Sequence, residues 1–76
     1  MRNQKARVQN PDEMEDERSA LLNRLQNLDP RAKAQPGYRT ALSLLNSKFR
    51  KSTIGARVAV LQAAAFMIEV LEKLPL

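Results

Sequence analysis

The chain has 76 residues, a net charge of +5, and neither Cys nor His. No disulfide and no Cys/His zinc site can therefore staple it, and the usual general base and the thiol nucleophile are missing, which removes most catalytic chemistry. A chain this short buries only about 60% of its unfolded surface and is marginal alone, so association is the remaining common route to more burial.

Residues 1–9 carry Arg2, Lys5 and Arg7, with Val8 the one β-branched apolar residue beside Met1 and Ala6. So polar a segment cannot bury enough to order itself and reads as a flexible basic tail, with a phosphate-seeking arm as the alternative. The opening decapeptide lacks the apolar stretch of a secretory signal, and the protein reads as cytoplasmic. A single helical domain, residues 10–76, is expected to follow.

Asn10-Pro11-Asp12-Glu13 is the strongest local signal. Asn10 suits an N-cap, Pro11 suits the first helical position, and Glu13 can reach back to the cap as in a capping box. The acidic band Asp12, Glu13, Glu15, Asp16 and Glu17 then falls in the first two turns, where the helix dipole favours negative charge. That accounts for the band without metal. Glu13 and Glu17 would share a face, but a hard cation wants more converging oxygens than two side chains give. Met14, Leu21, Leu22, Leu25 and Leu28 form the apolar stripe, and a first helix is expected over 11–28. Arg18 and Arg24 fall on other faces.

Asp29-Pro30 repeats the cap-plus-proline pattern and fits one short turn. Pro36-Gly37 is read as its end and as a loop. A second helix is expected over 38–50, with Tyr38, Leu42, Leu45 and Phe49 on one face, widened by Ala41 and Leu44. Ser52, Thr53 and Gly55 are poor interior helix residues, so a break is placed there, with Ser52 or Thr53 as cap. No proline enforces that break, and one helix over 38–74 is the alternative.

The third helix, expected over 53–74, organises the rest. At about 100° per residue, Arg57, Gln62, Glu69, Glu72 and Lys73 mark a polar arc, and the apolar arc opposite is about 200° wide. It carries Val60, Ala63, Ala64, Phe66, Met67, Val70, Leu71 and Leu74, while Val58, Leu61 and Ile68 lie inside or beside the polar arc. An ordinary surface helix needs a stripe of little over about 100°. Either its own neighbours cover both sides, or a second chain does. Gln62 and Glu69 interrupt the apolar run, and the polar face is not cationic, so neither spanning a membrane nor lying on one is expected.

The sequence thus predicts an all-α, three-helix domain with a long apolar C-terminal helix. No cofactor, metal or small-molecule site is expected. The two glycines, Gly37 and Gly55, make no phosphate loop, and no pattern activates a Ser or Thr. The favoured reading is a protein-interaction or regulatory module, a homodimer or the partner of another protein, associating through Val60, Ala63, Met67, Val70, Leu71 and Leu74. The alternative is nucleic-acid binding through Lys48, Arg50, Lys51 and Arg57, with residues 40–57 arranged as a helix-turn-helix. Tyr38, Phe49 and Phe66 are all assigned to the core, which argues against base stacking.

Overall fold

The computed structural model describes residues 11–75, and every element in that range is helical. The basic tail over 1–9 and the Asn10 cap lie outside the described residues. Helix α1 spans Pro11–Gln26 and buries Met14, Leu21 and Leu25. It ends two residues earlier than the apolar stripe implies. Asn27 N–H still reaches the Asn23 carbonyl at 3.1 Å, and Leu28 is buried from the turn that follows.

The short turn at Asp29-Pro30 forms as the sequence predicts, as α2 (Pro30–Lys33). The Asp29 carboxylate accepts from Arg31 N–H at 2.8 Å, and Ala32 is buried. Pro36, read from sequence as part of a loop, instead opens helix α3 (Pro36–Ser43). Its fixed φ and missing N–H suit a first helical position, and Gln35 ahead of it is extended at φ −78°, ψ 148°.

From α3 the chain passes through a π-helical turn, Leu44–Lys48, into the short α4, Phe49–Lys51, and Leu44, Lys48 and Phe49 all keep right-handed helical dihedrals. The wider turn rotates less per residue than an α-helix, so Ala41, Leu45 and Phe49 stay on one buried stripe. In the turn, Phe49 N–H donates to the carbonyls of Leu44 and Asn46, passing over Leu45. Arg18 of α1 takes the bypassed group, its Nε donating to the Leu45 carbonyl at 2.6 Å.

Ser52 is extended at φ −86°, ψ 151°, which separates α4 from α5 (Ile54–Glu72) and disposes of one continuous helix. Thr53 caps α5, its hydroxyl accepting from Ala56 N–H at 3.2 Å. α5 lies against α1 on one side and against α3 and the π turn on the other. The core is one cluster joining Met14, Leu21, Leu25, Leu45 and Phe49 to Leu61, Ala64 and Ile68 of α5.

The side of α5 that enters the core corrects the sequence reading. Leu61 and Ile68, placed inside or beside the polar arc, are 1% and 0% exposed, and Phe66, assigned to the core, is 66% exposed. Two of the five residues of the polar arc do not mark a side turned away from the core. Arg57 and Glu72 sit at the rim of the core, and their heads reach other elements: Arg57 Nε donates to the Phe49 carbonyl at 2.9 Å, and Glu72 accepts from Arg24. A long polar side chain at a core edge keeps its stem on apolar surface and its head on a partner.

Candidate interaction surface

Subtracting the buried side of α5 leaves a strip that no other part of the described chain covers. Ala56, Ala59, Ala63, Phe66 and Val70 are exposed along it, and Met67 and Leu74 are half-buried at its edge. Successive steps of three and four residues keep these side chains on one helical face. Among the described residues the exposed large hydrophobic side chains are Ile54, Phe66 and Val70, and all three belong to α5. Ile54 sits in the first turn, off the strip.

The six positions read from sequence as an interface therefore divide. Val60 and Leu71 are buried within the chain at 7% and 5% exposure, Ala63 and Val70 face outward, and Met67 and Leu74 lie between. Phe66 joins the outward set. Polar Gln62 and Glu69 bound the strip, and with Glu17, Arg24, Ala65 and Phe66 they line a shallow groove between α1 and α5.

The basic cluster divides too. Arg57 is turned inward: besides the Phe49 carbonyl, it reaches the Arg50 carbonyl at 3.3 Å, and its guanidinium lies 4.7 Å from the centre of the Phe49 ring. It thereby closes the C-terminus of α4, where bare carbonyls want a donor. Arg18 stands over the same ring at 5.7 Å. Its remaining nitrogens bind Glu15 at 2.7 Å and Asn46 at 3.3 Å. The side chains of Lys48, Arg50 and Lys51 are exposed. Of Thr53, Gly55 and Arg57, which a helix-turn-helix would aim at bases, Gly55 is exposed, Thr53 caps its own helix and Arg57 is bound to the Phe49 carbonyl.

Some of the remaining charges are paired. Arg24 and Glu72 form a two-point pair, Nε–Oε2 3.0 Å and Nη2–Oε1 2.6 Å, tying the end of α1 to the end of α5. This hydrogen bonding holds the Glu72 carboxyl below its ordinary value and the Arg24 guanidinium above its own. The Arg31 backbone N–H, then its side chain, lowers Asp29 in the same way.

No group of three or more metal-ligating side chains occurs among the described residues. α5 is the one described helix long and apolar enough to cross a membrane, and its inner side packs in the chain's own core. Comparison with protein-family models, curated proteins and solved structures gives no match.

Proposed function

We propose that this protein is a small helical interaction module that self-associates through the outer strip of α5, in a cytoplasmic setting. One observation carries the reading: all the exposed large hydrophobic side chains of the described residues lie on α5, two of them in line with Ala56, Ala59 and Ala63. Contiguous exposed apolar surface on a small protein marks an interface. Alanines at those positions let a second helix come close, with Phe66 and Val70 supplying the area that association would remove from water. A two-fold dimer is the simplest closed assembly of such a face.

The test is sedimentation of the whole chain at tens of micromolar. The native protein should sediment at a multiple of its 8.6 kDa mass. Val70→Glu should return it to the monomer with its helical circular dichroism intact, because an unpaired charge at a desolvated interface is costly. A native chain that sediments as a monomer throughout would end this reading.

A further inference from the structure

We infer that the outer side of α2, α3 and α4 is a docking surface for duplex nucleic acid, held through phosphate contacts and without base reading. The inference does not depend on self-association. It rests on how the cations are divided. Among the described residues Arg18, Arg24, Arg31 and Lys73 each pair with a carboxylate, and Arg57 binds two backbone carbonyls. The side chains of Lys33, Arg39, Lys48, Arg50 and Lys51 hold no such partner, and all five fall between residues 33 and 51. Over the same stretch, and on to Ile68, the chain has no acidic residue. Cations in a last helical turn are favoured by the dipole, and that covers Lys33, Lys48, Arg50 and Lys51 but not Arg39.

The five cations are spread along consecutive helical segments. Lys33 and Arg39 border one open groove with Gln35, Pro36 and Thr40. Lys48, Arg50 and Lys51 lie at the far end of the same run of helix. From Arg39 to Lys51 is roughly 18 Å at about 1.5 Å rise per residue. A duplex presents about ten phosphates over that length, one per ~1.7 Å of axis. Ser43 and Ser47 are exposed on the same run, and hydroxyls with Lys and Arg are the usual donors to phosphate oxygens.

The chemistry selects among anionic partners. A helix bound on an anionic membrane needs an apolar face to embed. Here that face, Ala41, Leu45 and Phe49, is buried in the core. Single-strand binders stack bases on aromatic side chains, but Phe49 is buried and Tyr38 half-buried, leaving no exposed ring on this side. A duplex backbone asks only for spaced cations and donors.

The test is fluorescence anisotropy of the whole chain with a labelled random-sequence DNA duplex across a salt series. The native chain should bind at low salt, with the logarithm of affinity falling linearly against the logarithm of salt. The triple variant Lys48→Gln/Arg50→Gln/Lys51→Gln should lose at least about tenfold in affinity, and its slope should flatten by about 0.9 for each phosphate contact removed. Arg39→Gln alone should flatten it by one such step. The control, Arg31→Gln/Lys73→Gln, removes two cations that already have partners and should leave the slope unchanged. Circular dichroism confirms that each variant is folded. Equal losses in the control and the triple variant would reduce the effect to net charge and overturn the proposal. Binding to anionic vesicles without binding to duplex would overturn it as well.

Discussion

The inner and outer sides of α5 are built from nearly the same residue types and do opposite things. The inner side uses Leu61, Ile68 and Leu71 with Ala64 between them, all at most 5% exposed. Its branched side chains fill the gap between α1 and the run from α3 to α4. The outer side is mostly alanine, relieved by Phe66 and Val70. Hydrophobicity alone does not say which side goes in. Bulk does: large aliphatic residues fill a core at close-packed density, and a row of alanines cannot. What a row of alanines offers instead is a flat face that another helix can approach.

The sharpest way to break this contrast is to truncate one side chain on each side. Ile68→Ala should cost about 2–5 kcal/mol by the lost burial and the cavity left behind, enough to unfold much of so small a domain. Phe66→Ala, measured by urea melts at concentrations dilute enough to exclude association, should stay within about 0.5 kcal/mol of the native chain. Equal losses would mean that Phe66 belongs to the fold.

The rim between the two sides supplies the next test. Arg57→Ala should cost about 1.5–3 kcal/mol, since it removes a charged donor from buried-edge carbonyls. Arg57→Lys should not restore the loss, because an ammonium lacks the planar fork that serves two carbonyls and covers the ring. Arg50→Ala, two turns earlier and exposed, should be near neutral in the same melts.

Gly55 tests the outer side without touching a contact, because a Cβ there would meet nothing within 4 Å. Gly55→Ala should raise stability by about 0.4–1 kcal/mol by restricting the unfolded chain. A loss instead would show that space to be occupied, as a closely apposed second helix would occupy it.

The smallest effect expected is at the end of α5. The Glu72 carboxyl is held below its ordinary value by Arg24, so its contribution is present above the unfolded-state value and fades as pH falls through the folded-state value. Both side chains are more than a third exposed, which limits the pair to about 0.5 kcal/mol. Glu72→Gln should therefore be slightly destabilised at neutral pH and indistinguishable from the native chain in acid. Paired melts at the two conditions decide it, and a difference that persists in acid would exclude this ionisation as the cause.

Local signals were readable in the sequence wherever a residue acts on its own backbone. Asp29 ahead of Pro30, and Thr53 at the start of α5, cap helices as their types imply. The all-helical class and the long apolar helix follow from length and composition. What could not be read is where a polar head on a long stem finds its partner. Arg57 and Glu72 look like markers of a wet face until Phe49 and Arg24 are seen beside them, and with them goes the phase of α5. The candidate surface was half legible for the same reason: Val60 and Leu71 lie in the core, and Phe66 lies outside it. The π turn left no mark at all, because Leu44–Lys48 contains only ordinary helix-tolerant residues.

That turn has a consequence for how the chain tolerates insertion and deletion. Ala41, Leu45 and Phe49 are spaced four and four. Were one residue missing between Leu45 and Phe49, they would stand four and three apart, the spacing of an ordinary amphipathic helix. The run from Pro36 to Lys51 is thus an α-helix that has absorbed one supernumerary residue, and Arg18 answers the carbonyl left over. Deleting Ser47 would let the regular ladder close and take the Leu45 carbonyl back. The Arg18 side chain, only 14% exposed, would then lose the acceptor of its Nε. Chain length in this stretch and the identity of residue 18 are therefore tied: a shortened helix should accept a Leu or Met at position 18 more readily than the arginine that now serves the full-length one.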